Sequence, residues 1–341
     1  MNEPSLMYQE AAQAPQAVSA QLAQNAPRLR ELGARLRAES PRAVVTCARG
    51  SSDHAATYAR YLIEAHTHVL TSSAAPSVSS VYEAQSDLEG ALFIAISQSG
   101  QSPDLLAATR NAKDSGALTV ALCNTADSPL MELVDVAVPL HAGPERSVAA
   151  TKSYIASLSC IAQLVANWTE DRRLLATLPQ IPELLTRALQ CNWAPAVATL
   201  RDAINLFVVA RGFGLGIAQE AALKLKETCG LHAEAFSSAE VKHGPMALVK
   251  PGFPVLMFTQ RDDTRAGIET LAAEFATRGA RVLISGAEAV GATSLPAIAA
   301  HPVIEPLLTI QSFYAMANEL ALARGLDPDR PPHLHKVTET L

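Results

Sequence analysis

The chain is 341 residues long, 49% hydrophobic and 18% charged, which is enough apolar material for buried cores and, at the usual size of a folding unit, for two domains. Its 27 Lys and Arg against 33 Asp and Glu leave a net charge of −6, which excludes the basic footprint of a nucleic-acid binder and favours a small ligand. No apolar run approaches the roughly 18 residues of a membrane span, and the opening MNEPSLMYQEAAQAP lacks a leader-like core, so the expected location is the cytoplasm, away from any membrane.

Residues 1–40 are expected to form a helical lead-in. Apolar, β-rich runs then alternate with helical-period segments. Strands are expected at 43–48, 68–74, 92–97, 118–124 and 134–140, and helices at 53–66, 77–84 and 103–114. Strands that are apolar without alternation belong in a parallel sheet covered on both faces, so the first domain, at 41–178, is expected to be doubly wound α/β. A Pro-punctuated helical stretch at 179–200 reads as a linker. The rhythm resumes in a second domain at 201–325, with strands at 206–212, 254–260, 281–286 and 302–308 and helices at 215–229, 264–277 and 310–325. A Pro-rich tail, 326–341, follows. The five cysteines, Cys47, Cys123, Cys160, Cys191 and Cys229, form no CxxC pair and read as small buried hydrophobes, with neither a disulfide framework nor a zinc site expected.

An offset of 162 residues superposes Ala48-Arg49-Gly50 on Ala210-Arg211-Gly212, Ala56 on Ala218 and Ala59 on Ala221, which suggests an internal duplication. Ligands of open parallel sheets gather beyond the carboxyl ends of the strands. Attention therefore falls on the turns after 43–48, 92–97 and 206–212. Two of them, Gly50-Ser51-Ser52 and Ser97-Gln98-Ser99-Gly100-Gln101-Ser102, bring hydroxyls and a glycine to the start of a helix, where backbone N–H groups and the helix dipole favour an anion. Neither GxGxxG nor GxxxxGK[ST] occurs, so a phosphate monoester fits better than a dinucleotide or a nucleoside triphosphate. The plainer reading makes Ser51 or Ser52, and Ser102, helix N-caps.

Further along, Glu220, Lys224 and Glu227 share one stripe of a helix that starts at a strand-end turn. A solvated salt-bridge ladder and a catalytic face would have the same spacing. His243, in a loop bounded by Gly-Pro, is either a general acid/base or a loop histidine, and Lys336 either pads the surface or supplies a cation to a cleft.

Taken together, these residues resemble the sugar-isomerase (SIS) family of phosphosugar-binding domains. The chain is similar to the isomerase half of glutamine-dependent glucosamine-6-phosphate synthases over nearly its whole length. The matches are Met7-Tyr-Gln-Glu10 with Gln13-Ala-Pro15, Gly50-Ser51-Ser52, Ser97 to Ser102, Ala142-Gly143-Pro144-Glu145 through Val148-Ala149-Ala150-Thr151-Lys152, Glu220 to Glu227, His232-Ala-Glu234 and Glu240-x-Lys-His243-Gly-Pro. The resemblance implies two tandem SIS domains, each a doubly wound parallel sheet flanked by helices. It implies that Ser51, Ser97, Gln98, Ser99 and Ser102 hold a sugar phosphate, with Gly50, Ser52, Val148, Ala149 and His335 among the substrate-lining positions. It makes Glu227 the group that moves a proton between C1 and C2, and His243, lent by the neighbouring subunit of a homodimer, the group that opens the ring. Lys224 and Lys336 would line the sugar. No metal or organic cofactor is called for.

Two departures shift the expected reaction. The sequence opens at Met1-Asn2 without the nucleophilic Cys of an amidotransferase half, so that half is expected to be absent, and His335 stands where the synthases carry a small residue before their lysine. The ending resembles that of stand-alone SIS-type glucosamine-6-phosphate deaminases. The expected function is therefore an amino-sugar-phosphate deaminase/isomerase acting on a hexosamine 6-phosphate. The alternatives are an isomerase or deglycase for a galactosamine- or fructosamine-type phosphate and a catalytically silent sugar-phosphate sensor.

Overall fold

The computed structural model describes residues 4–334 and 336. The chain opens with α1 (Leu6–Ala12) and α2 (Ala14–Glu39) and continues β1 (Val44–Cys47), α3 (Ser51–Thr67), β2 (Thr71–Ser73), α4 (Pro76–Ser80), β3 (Leu92–Ser97), α5 (Pro103–Asp114), β4 (Leu118–Cys123), α6 (Pro129–Leu133) and β5 (Val136–Pro139). Four helices follow, α7 (Lys152–Thr169), α8 (Arg172–Thr177), α9 (Ile181–Leu189) and α10 (Ala194–Leu200). The remainder is β6 (Asn205–Ala210), α11 (Leu215–Cys229), β7 (His232–Ser237), β8 (Pro254–Phe258), α12 (Arg265–Thr277), β9 (Arg281–Ser285), β10 (Thr293–Leu295) and α13 (Glu305–Ala323).

Two compact units result. The first takes Gln16–Glu145, Lys152–Pro179 and Lys336; the second takes residues 4–15, Arg146–Thr151 and Gln180–Leu334. In the first, five parallel strands lie in the order β2-β1-β3-β4-β5, with α3 against β1 and β3 and packed on α7. β3, the central strand, is buried at every position, as its unbroken apolar run LFIAIS requires. The second unit repeats the plan as β7-β6-β8-β9-β10, again all parallel. The register repeats as well: Val45 pairs with Phe93 and Phe207 with Val255, two pairings separated by the same 162-residue offset seen in the sequence. Two doubly wound α/β sheets, one per unit, are the architecture.

Several elements differ from the sequence reading. Residues 302–308 do not form a strand. Helix α13 begins at Glu305 with Pro306 in its first turn, where a missing N–H costs nothing, and residues 305–318 are all buried. A short run that is apolar on every side has no periodicity to separate helix from strand. That helix is surrounded within its unit by α1, α9, α10 and α11, so the 179–200 stretch supplies packing partners for it. The last strand of the second sheet is instead Thr293–Leu295. Strand 68–74 shrinks to Thr71–Ser73, because His68 adopts φ 60° as the left-handed cap that closes α3. All five cysteines are free thiols; four are buried and Cys191 is half-buried. Among the described residues no helix is long and apolar enough to cross a membrane.

Candidate functional site

In the first unit, the turn after β1 ends at Gly50, whose φ of 55° makes it the N-cap of α3 without a side-chain cap, so neither Ser51 nor Ser52 occupies that position. Ser102 does occupy the N-cap of α5, but its hydroxyl makes no capping bond. The loop between β3 and α5 is braced from within. Buried Ser97 accepts the Gly100 N–H through Oγ at 2.9 Å, and the Ser99 Oγ accepts the Gln101 N–H at 3.4 Å. Gly100 has φ 66°, and a Cβ there would collide with the Ser128 side chain and lie 2.9 Å from the Cys123 sulfur. The side chains of Gln98 and Ser102 form no hydrogen bond with another described residue.

The two loops are latched to each other. Arg49, beside Gly50, gives its Nε and Nη2 to Asp104 Oδ2 at 3.0 and 2.8 Å, and the Asp104 side chain is fully buried in the first turn of α5. Burial also pushes the Asp53 carboxyl, one turn into α3, above its usual range against the opposing pull of His54 and Arg49. Sequence reasoning missed the latch, although an acidic residue just inside a helix N-terminus was visible at Asp104.

The duplicate of this loop in the second unit, 162 residues on, reads Thr259-Gln260-Arg261-Asp262-Asp263-Thr264. There Asp262 Oδ1 accepts from the Thr264 N–H at 2.9 Å and from its hydroxyl at 2.5 Å, while Oδ2 accepts from Gln260 Nε2 at 3.0 Å. A built-in carboxylate thus occupies the donors whose counterparts in the first unit are Gln98 and Ser102.

Lys336 and Glu145 meet in the first unit. Lys336 Nζ lies 3.5 Å from Glu145 Oε2, and the buried Glu145 also accepts from the Ser153 N–H at 3.2 Å and its hydroxyl at 2.5 Å. Val148 and Ala149 belong to the second unit. They follow a turn whose Arg146 and Ser147 N–H groups are both held by the Glu10 carboxylate, at 2.5 and 3.1 Å, which gives the N-terminal Met7-Tyr-Gln-Glu10 lead-in a physical job. His335 lies outside the described residues.

The second unit carries the acid/base groups on α11. That helix starts after the Arg211-Gly212 turn, ends on the left-handed Gly230, and turns its Glu220–Lys224–Glu227 stripe inward. Lys224 is 1% exposed and Glu220 0%, so a solvated ladder is ruled out. Lys224 Nζ sits 2.6 Å from Glu227 Oε2 and 3.4 Å from Glu220 Oε1, and the Tyr314 hydroxyl donates to that same Glu220 oxygen at 3.1 Å. Burial alone would strip the proton from Lys224, but the Glu220 and Glu227 carboxylates outweigh it and hold the ammonium above its ordinary range. Glu227, with its side chain 19% exposed, is the least buried of the three and borders a cavity of about 420 Å³ lined by Leu223, Thr228, Leu326, Arg330, Pro331 and Leu334. Tyr314 escaped sequence reasoning because nothing local connects it to a residue 94 positions away.

His243 follows the tight turn Glu240–Lys242 and precedes Gly244, whose φ is 138°. Its side chain is exposed, and no hydrogen bond or ion pair joins it to Lys224 or Glu227 within the chain.

Comparison with known proteins agrees with this architecture. The SIS domain family matches residues 39–167 and 199–286, one segment for each sheet. Over 315 residues, 86% of this chain, the sequence is 35% identical to the glutamine--fructose-6-phosphate aminotransferase [isomerizing] of Thermotoga maritima and covers 50% of that protein. The chain spans about half the length of the full-length relatives it matches. A crystal structure from Silicibacter pomeroyi, provisionally described as a phosphosugar isomerase, aligns over 95% of this chain and 100% of its own at 43% identity, with a TM-score of 0.92. A Thermotoga maritima glucosamine-6-phosphate deaminase shares the fold at 21% identity, covering 96% of this chain and 100% of its own with a TM-score of 0.73. With both sheets matched and the relatives aligned across them, the chain belongs to the SIS domain family.

Proposed function

We propose that the protein converts glucosamine 6-phosphate and water to fructose 6-phosphate and ammonia. The observation that carries this reading is the buried Glu220–Lys224–Glu227 stripe, in which a lysine held in its charged form donates to the one carboxylate that reaches a cavity. A carboxylate held by an ammonium at the edge of a cavity is placed to take a proton from carbon. The Gln98 and Ser102 side chains, which meet no hydrogen-bond partner among the described residues, favour a phosphate at the first unit's loop, and the sugar-phosphate activities named for the relatives point to the same substrate class.

In the proposed sequence, His243 gives a proton to the ring oxygen and recovers one from the C1 hydroxyl, which opens the ring to the aldehyde. Glu227, held by Lys224, removes the proton from C2 and returns it to C1 through an enolamine, while Lys336 offsets the negative charge that develops on oxygen. The product is the C2 imine of fructose 6-phosphate. Water adds at C2, the C–N bond breaks, and ammonia leaves. Stand-alone proton transfer on a sugar with a 2-hydroxyl would be aldose–ketose isomerisation by the same groups.

Purified protein given glucosamine 6-phosphate should release ammonia and fructose 6-phosphate in equal amounts. Ammonia from galactosamine 6-phosphate or a 6-phosphofructosamine alone would redirect the reading to those substrates. Tight binding without turnover of any of them would overturn it in favour of a sensor.

A further inference from the structure

Lys224 lies nearer to one of its two carboxylate partners than to the other. Its ammonium lies 2.6 Å from Glu227 and 3.4 Å from Glu220, although Glu220 is the more deeply buried carboxylate and would by itself hold a cation the more strongly. The Tyr314 hydroxyl, from the fully buried centre of α13, donates to Glu220 Oε1, the same oxygen that faces Lys224. A neutral donor on that oxygen withdraws part of its negative charge and leaves more of the lysine's charge for Glu227. We propose that Tyr314 is a positioning residue: by occupying the Glu220 oxygen it aims the Lys224 ammonium at Glu227, keeping that carboxylate poised as the proton carrier. This rests on the reading of Glu227 given above.

Among the described residues, the other charged groups on the neighbouring elements are placed as follows. On α11, Lys226 is exposed and borders the same cavity as Glu227. β6 has no ionisable side chain, and His232 and Glu234 of β7 are exposed. On α13, Glu305 is paired with Arg261 and Glu319 is exposed; Arg324, just beyond it, is spent on backbone carbonyls. Asp327 and Arg330 border the Glu227 cavity from the chain after α13.

Tyr314→Phe keeps the ring and removes only the donor. If the proposal holds, Lys224 moves toward Glu220 and Glu227 loses support as an anion. The pH–rate profile with glucosamine 6-phosphate should then show its acid limb displaced upward by roughly one pH unit and kcat reduced about tenfold, with KM within about twofold of the parent. Glu220→Gln removes the competing anion and should move the acid limb the other way. An unmoved limb in Tyr314→Phe, a loss confined to KM, or the same direction in both variants would overturn the proposal. A second readout needs no turnover: the 13C signal of the Glu227 side-chain carboxyl, assigned with Glu227→Gln, should titrate at higher pH in Tyr314→Phe than in the parent. Should the parent fail to act on any hexosamine phosphate, the proposed reaction fails while this titration still decides the role of Tyr314; equal midpoints would reject it. If Tyr314→Phe does not fold, Glu220→Gln carries both measurements, and a midpoint that does not fall would reject the proposal.

Discussion

In the proposed reaction Glu227 acts on the substrate and Lys224 on its partner's charge, so the two answer to different measurements. Glu227→Gln is isosteric and keeps an acceptor for the lysine, so it should leave the melting temperature and substrate affinity near those of the parent. It should reduce kcat by about 10²- to 10⁴-fold, the range of a lost general base, and steady-state kinetics with binding by calorimetry would separate the two effects. Lys224→Met instead strands two carboxylates, one fully buried, without their counter-ion, and should cost about 3–5 kcal/mol of stability at neutral pH. The pH dependence follows from the raised folded-state pKa of Lys224. The stabilisation from its pairing is complete below the unfolded pKa near 10.5 and is lost only as pH climbs through the higher folded value, so the parent should keep it throughout pH 6–9. The variant should regain stability toward pH 5, as its unpaired carboxyls take up protons. Denaturant unfolding at pH 5, 7 and 9 would show whether the gap closes on the acid side.

At the scale of elements, the loop between β3 and α5 has no slack. A side chain at Gly100 would need both a left-handed backbone and space already filled by Ser128 and Cys123, so Gly100→Ala should destabilise the fold by about 1–3 kcal/mol and weaken phosphosugar binding together. Thermal melts with and without ligand would detect both. The legibility of this region and the opacity of others have a common cause. β3 and β8 could be read directly because a strand buried on both faces is apolar at nearly every step, and the loops drew attention because ligands of parallel sheets gather beyond the strand ends. β7 could not, since it lies at the edge of its sheet and its HAEAFS is buried only at Ala233 and carries no strong apolar signal. α7, buried along nearly its whole length, and α13 have no polar face to set a period, so one went unnoticed and part of the other looked like a strand. At the site, Glu220, Lys224 and Glu227 were legible as a stripe, but whether water covered them depended on α13, and the Arg49–Asp104 latch depended on two loops 55 residues apart.

For the whole molecule, the exposed His243 can be tested by mixing. If each catalytic centre borrows His243 from a neighbouring copy, Glu227→Gln and His243→Ala are each inactive alone, but co-expressed they form hybrid dimers with one intact centre. Random pairing would then restore about a quarter of the parent rate, and chains acting alone would restore none. The duplicated plan carries another quantitative implication. Gene doubling would ordinarily give a protein two equivalent seats, yet the second loop has installed its own aspartate, Asp262, where a guest anion would be greeted. Titration calorimetry should accordingly return a stoichiometry of one phosphosugar per polypeptide. On the proposed reading, the second copy, whose donors Asp262 already satisfies, is left to proton handling while the first keeps the anchorage.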